Sequence, residues 1–203
     1  MSMSLPTPAS LPEHNDAEVH VLFNGYAGGR GVASTVVFIR DGDAQIIVDP
    51  GMVPQREAIL EPLAQLGVAP DAITDVIFSH HHPDHTLNAA IFPAARFHDV
   101  WAIYVGDQWS DRPAEGYSVS PSVRLIETPG HTPQDITTLI GTAQGIVACT
   151  HLWWMASGPA EDPRATDLPT LHQNRARVLA IPGLYRIAPG HGVPFAPSAD
   201  TPR

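Results

Sequence analysis

The chain has 203 residues, 43% of them hydrophobic, and a mean hydropathy near zero, which is enough material for one sizeable core. Its formal net charge is −10, with 11 basic residues that are all arginine. That balance argues against tight binding to nucleic acid or to an anionic membrane. A single cysteine, Cys149, excludes an internal disulfide framework and fits a reducing, cytoplasmic compartment.

The first residues, MSMSLPTPASLPEHND, combine neither a basic stretch nor an apolar run, so a signal peptide is not expected. No run of 18 apolar residues predicts a membrane span. Residues 1–17 are expected to form a loose segment and 18–203 a single domain. Val19 to Phe23 predicts a first strand. The following Asn24-Gly25-Tyr26-Ala27-Gly28-Gly29-Arg30-Gly31 is too glycine-rich for regular structure and suits a turn or hairpin tip. Thr35–Ile39 and Gln45–Val48 predict two strands joined at Asp41-Gly42. The second runs into Asp49-Pro50-Gly51, where the carboxylate either caps a turn or orients a metal ligand from behind. Residues 54–66 carry Ile59, Leu60, Leu63 and Leu66 at helical spacing, with a kink or break expected at Pro62 and an end at Gly67.

Asp75 to Phe78 is a short buried strand that leads into Ser79-His80-His81-His82-Pro83-Asp84-His85. In extended chain His80 and His82 share a side and His81 faces away. Pro83 opens a helix, whose first turn carries Asp84 and His85 back toward the same point. Imidazoles and a carboxylate in that arrangement suit a borderline-soft cation such as zinc, with iron or manganese as alternatives.

Beyond this motif, Ala89–Phe92 ends a short helix and Ala95–His98 predicts a strand. Residues 100–122 lose any pattern and predict a long aromatic loop. Two later segments match each other. Val123–Glu127 precedes Thr128-Pro129-Gly130-His131, and Leu184–Ala188 precedes Pro189-Gly190-His191. Each is an apolar strand, a Pro-Gly turn and a histidine delivered at the strand end. Ile136–Ile140 and Gly145–Cys149 predict further strands, the second running into Thr150-His151-Leu152-Trp153-Trp154. Asp167 can cap a helix over residues 168–180.

His80-x-His82-x-Asp84-His85, followed by His131 and His191, resembles the metallo-β-lactamase fold superfamily from about Val19 to Phe195. The resemblance implies an α/β fold, the four-layer αββα metallo-β-lactamase sandwich, with metals at one sheet edge. It implies that His80, His82 and His131 hold one metal and that Asp84, His85 and His191 hold another. The family usually carries a metal-bridging aspartate where this chain has His151. An imidazole offers one lone pair and can hardly bridge. His151 therefore either ligates the second metal or has swung away and left that metal weak or absent. The stretches 67–70, 128–131, 161–163 and 189–195 resemble one branch of the superfamily, some members of which are thought to be ribonucleases.

The implied activity is hydrolysis of a small ester, thioester, lactone or amide by zinc-bound hydroxide, with one or two ions. Asp84 orients the nucleophile and passes its proton to the leaving group. Trp153, Trp154 and the 100–122 segment are expected to shape the pocket, and Tyr26 or Arg30 to touch a small-molecule substrate. Three alternatives stay open: a phosphodiesterase or ribonuclease, iron-based oxygen chemistry, and a metal-binding protein that has lost turnover. His14, His20, His81, His98 and His172 are read as surface or core histidines.

Overall fold

The computed structural model describes residues 11–203; residues 1–10 of the expected loose segment lie outside the described residues. Two sheets dominate. The first has seven strands in the order β1-β4-β5-β6-β7-β8-β9, namely β1 (Glu18–Phe23), β4 (Val36–Asp41), β5 (Ala44–Val48), β6 (Asp75–Ile77), β7 (Arg96–His98), β8 (Ala102–Val105) and β9 (Gln108–Asp111). The second has five strands in chain order: β10 (Ser118–Ser120), β11 (Val123–Glu127), β12 (Ile136–Thr142), β13 (Gly145–Thr150) and β14 (Leu184–Pro189). A separate hairpin joins β2 (Tyr26–Gly28) to β3 (Gly31–Ala33). The helices are α1 (Glu57–Gln65), α2 (Pro83–Thr86) and α3 (Leu168–Leu179).

Strand alternation builds the layers. In β4, Val37 and Ile39 face the second sheet, where they meet Leu125, Ile140 and Val147. Val36 and Phe38, one residue out of phase, face Ile59 and Leu63 of α1. In the second sheet, Ile126, Leu139 and Ala148 turn instead to Leu171 and Val178 of α3. Both sheets are therefore apolar on both faces, and the layers run helix, sheet, sheet, helix. Each fully buried Ile, Leu or Phe in these layers contributes roughly 1.5–3 kcal/mol. A polar bolt also crosses between the sheets. The Asp41 carboxylate accepts from the Ser120 and Ser122 hydroxyls at 2.6 and 2.9 Å and from the Ser122 amide at 2.7 Å.

Three local expectations need correction. The glycine-rich 24–31 stretch does form regular structure, because Gly29 at φ +59° makes the tight turn that lets β2 and β3 pair. Helix α1 continues through Pro62, since its buried stripe of Ile59 and Leu63 packs on the sheet and offsets one missing hydrogen bond. The 100–122 segment is not a loop but holds β8, β9 and β10. All four residues of β9 are exposed, so this sheet-edge strand carries no alternating pattern to read. Asp167 caps α3 as expected, accepting from the Thr170 amide at 3.0 Å. Among the described residues no helix is long and apolar enough to cross a membrane.

Candidate metal centre

The candidate ligands gather at one edge of the sandwich, Asp84 and His85 from α2 and the others from strand ends. His80 and His82 follow β6, His131 follows β11, His151 follows β13 and His191 follows β14. Backbone bonds between the sheets hold this edge shut: the Ile136 amide donates to Ser79 O at 2.8 Å, and the Thr35 amide to Gly190 O at 2.8 Å.

His80 Nε2 lies 2.9 Å from His82 Nδ1, which lies 3.2 Å from His131 Nε2. On the neighbouring side, Asp84 Oδ2 lies 3.5 Å from both His85 Nε2 and His191 Nε2. His151 Nε2 is 3.1 Å from His191 Nε2, and the His151 ring centre lies 4.5 Å from that of His80 and 4.1 Å from that of His131. The structure thus brings His80, His82, Asp84, His85, His131, His151 and His191 into one cluster.

The outer partners fix which nitrogen of each ring carries its proton. His191 Nδ1 faces the Ala33 carbonyl at 2.9 Å, and a carbonyl can only accept. His131 Nδ1 donates to Asp162 at 2.8 Å, and His85 Nδ1 to Asp49 at 2.8 Å. The Ser79 hydroxyl donates to Asp49 at 2.7 Å, so it accepts from His80 Nδ1 at 3.1 Å. In all four rings Nε2 is left as a lone pair pointing inward. His82 Nδ1 can supply a proton to at most one of the two lone pairs beside it. His85 Nε2 and His151 Nδ1 are buried without a hydrogen-bond partner. Facing lone pairs of this kind are what a bound cation satisfies, so the donor set fits a metal of the zinc type.

At His80, His82, His151 and His191 protonation is a poor substitute for a metal. Burial, reinforced by the neighbouring imidazoles, holds His80 and His151 well below the ordinary histidine range. The same causes lower His82 and His191. Burial pushes the Asp162 carboxyl up, but hydrogen bonds from His131, the Arg164 amide and Trp154 outweigh it and keep it below its usual value.

Two glycines make the geometry possible by close approach. A β-carbon at Gly51 would sit 1.7 Å from the Asp84 carbonyl, and one at Gly190 would sit 2.4 Å from His151 Cδ2. Asp49 itself adopts φ +52°, a conformation that costs a non-glycine residue energy. It is held there by its bonds to Ser79 and His85.

A cavity of about 600 Å³ opens onto the cluster, walled by Trp154, Pro163, Arg164 and the β2–β3 hairpin with Arg30. Arg30 and Trp154 therefore line this cavity. Trp153 does not: it is fully buried, its indole donates to Pro202 O at 2.7 Å, and it belongs to the core beneath α3. Tyr26 lies outside the cavity lining and packs across the hairpin against Gly31. The 100–122 segment contributes nothing to this wall; Val100, Trp101, Arg112 and Pro113 line a separate cleft. His81, read as a surface or core histidine, donates to Asp99 at 3.0 Å and ties the motif loop to the end of β7. Asp162 and Arg164 escaped the sequence reading as site residues, since a lone Asp-Pro-Arg carries no periodic or motif signal. The likeness of 161–163 to one superfamily branch was the single pointer.

A family model described as the metallo-beta-lactamase superfamily matches residues 29–152. Metallo-beta-lactamase domain-containing protein 1 of Xenopus laevis is 31% identical over 189 residues, covering 87% of this chain and 80% of the frog protein. The human protein of that name is 34% identical over 164 residues, covering 74% of this chain and 59% of its own length. Among solved structures, a candidate metallo-beta-lactamase from Thermotoga maritima superposes with a TM-score of 0.70 at 23% identity, covering 90% of this chain and all of that one.

Proposed function

Because the chain belongs to the metallo-beta-lactamase superfamily, we propose that it is a metal-dependent hydrolase of small esters, thioesters, lactones or amides. The observation that carries this reading is the set of inward lone pairs on His80, His85, His131 and His191, each fixed by an outer partner. His80, His82 and His131 would hold one ion. Asp84, His85 and His191, joined by His151, would hold a second. When bound, zinc would lower the pKa of water to about 7 and polarise the scissile carbonyl.

The chain's own residues do the rest. Asp49, Asp162 and the Ala33 carbonyl hold the imidazoles in one tautomer and one orientation. Asp84 is partly open to the cavity and carries the carboxylate in the cluster that can reach substrate. It takes a proton from the attacking water and returns it to the leaving group. Trp154 is anchored through its indole to Asp162 at 3.0 Å and gives the substrate a rigid apolar wall.

The test is a panel of nitrophenyl ester, thioester and lactone substrates assayed with zinc-loaded protein, with the metal counted by elemental analysis. Turnover is expected in the wild type and at least about 10²-fold less in Asp84→Asn. A variant that binds metal and hydrolyses at the wild-type rate would refute the role of Asp84; no turnover of any acyl substrate by the loaded wild type would refute the hydrolase reading.

A further inference from the structure

Most of this chain's scarce cations are already engaged. Arg40, Arg96, Arg124 and Arg177 pair with carboxylates. Arg175 donates to three carbonyls, Arg56 donates to Asn88, Arg186 donates to Tyr185, and Arg112 lies over the Tyr117 ring. Arg30 and Arg164 differ. Neither guanidinium has a hydrogen-bond or ion-pair partner among the described residues, both are exposed, and both line the cavity above the histidine cluster. Arg203 also lacks a partner among the described residues but is not part of that lining, so it is their place above the cluster that sets Arg30 and Arg164 apart.

The backbone that carries each arginine is also tied to a candidate ligand, through a different element in each case. Arg30 sits at the tip of the β2–β3 hairpin, whose last residue, Ala33, accepts from His191 Nδ1 at 2.9 Å. The Arg164 amide donates to Asp162 Oδ1 at 2.8 Å, and the other oxygen of that carboxylate holds His131 Nδ1 at 2.8 Å. The positions of both cations are thus referred to the same cluster. The cluster adds to the local field. Its donors are six imidazoles and one carboxylate, so the protein would neutralise little of the charge of any divalent ion it held.

We propose that Arg30 and Arg164 form an anion clamp, and that the substrate carries a carboxylate or phosphate group at the end remote from the bond that is cleaved. The clamp rests on the hydrolase reading only for which bond breaks. A guanidinium fork matches either anion with two parallel hydrogen bonds. The cavity volume suits one small molecule, and the acidic remainder of the surface opposes a polyanionic chain.

The experiment compares three nitrophenyl esters of matched length with zinc-loaded protein: a neutral hexanoate, an adipate ending in carboxylate, and a phosphonate-ended analogue. At least one anionic ester is expected to exceed the hexanoate in kcat/KM by about tenfold or more, with the larger of the two ratios naming the anion. That ratio should fall toward one in R30Q/R164Q, fall partway in R164K, and shrink with added salt. Calorimetric titration of free adipate and of the free phosphonate into metal-free protein gives a readout independent of turnover; binding should be lost in R30Q/R164Q. Equal kcat/KM for all three esters overturns the clamp while leaving the hydrolase reading intact. Anion binding that persists in R30Q/R164Q overturns the clamp as well. If no ester turns over, the hydrolase reading fails, and the titration alone decides the clamp.

Discussion

Gly190 is in contact with His151: a β-carbon at position 190 would lie 2.4 Å from His151 Cδ2 and 3.0 Å from Nε2. The imidazole is buried by protein except where it borders the cavity, so it can give way only by moving out of its place among the other histidines. In Gly190→Ala either the ring leaves the cluster or the turn shifts and takes His191 with it. Overpacking of this kind costs about 1–3 kcal/mol. Urea unfolding of the metal-free protein should show that loss, and zinc titration should show weakened binding. Unchanged stability and zinc affinity would mean the ring has room the geometry denies it.

Asp49 holds two candidate ligands at once. Its Oδ2 accepts from His85 Nδ1 at 2.8 Å and from the Ser79 hydroxyl at 2.7 Å, and that hydroxyl orients His80. Asp49→Asn keeps the size but puts an N–H₂ group against a donor on one side. If that group takes the Oδ2 place, the His85 tautomer must flip or its ring must turn, which removes its inward lone pair; if it takes the Oδ1 place, it meets the Ser79 amide that now donates there at 2.7 Å, and the loop carrying His80 must shift. Zinc affinity, measured against a competing chelator, should fall about 10–100-fold. The same affinity in the variant would show that the carboxylate only caps its turn.

What could be read from residue order follows from what each signal encodes. The strand-His-x-His-x-Asp-His motif is local, and the period of two along β6 aims its side chains without any knowledge of the rest of the chain. The unbroken apolar run from Val36 to Ile39, closed by Asp41-Gly42, likewise marks a strand; that both its faces are buried is seen only in the structure. Asp162 and Arg164 sit in an irregular turn and reach the site only through tertiary contact, so no periodicity marks them. Trp153 and Trp154 are adjacent, yet one is core and the other is cavity wall. Neighbouring residues leaving a strand end point opposite ways, and the sequence does not say which way is in. The β8–β9 hairpin failed to register because its outer strand is wholly exposed.

A separate buried pair sets an acid limit on stability. His98 Nε2 donates to Asp75 Oδ1 at 2.7 Å, while its Nδ1 is buried with no partner. Burial lowers His98 below its ordinary 6.5, although Asp75 pulls the other way. Burial raises Asp75, but bonds from His98, Arg96 and Thr74 outweigh it and hold it below 3.8. Both folded values lie beneath the unfolded ones, so the unfolded chain binds more protons as pH falls. Stability is full above 6.5 and declines below it as the unfolded His98 charges first, with Asp75 following below 3.8. The buried cluster histidines tilt the metal-free protein in the same direction. The difference between wild type and His98→Gln therefore isolates the pair. The slope of unfolding free energy just below pH 6.5 should flatten by up to about 1.4 kcal/mol per pH unit. Parallel slopes in the two proteins would show that His98 titrates normally in the fold.

Whether His151 binds a metal sets how many ions the cluster is expected to take. Its Nε2 lies 3.1 Å from His191 Nε2, where a lone pair could join those of His85 and His191 beside Asp84. With His151 as a ligand that set becomes three imidazoles and one carboxylate, the four donors that a tetrahedral site needs. Without it three donors remain, and affinity must fall there first. In His151→Ala, zinc measured by elemental analysis after equilibrium dialysis should drop by one ion per chain. Anomalous scattering from zinc-soaked crystals should lose the peak beside His191 and keep the one beside His82. Stabilisation on loading should shrink in step, by about 2.7 kcal/mol for each 100-fold loss of affinity. If zinc content, peak positions and the stabilisation on loading all match the wild type, the His151 ring packs against the centre without binding a metal.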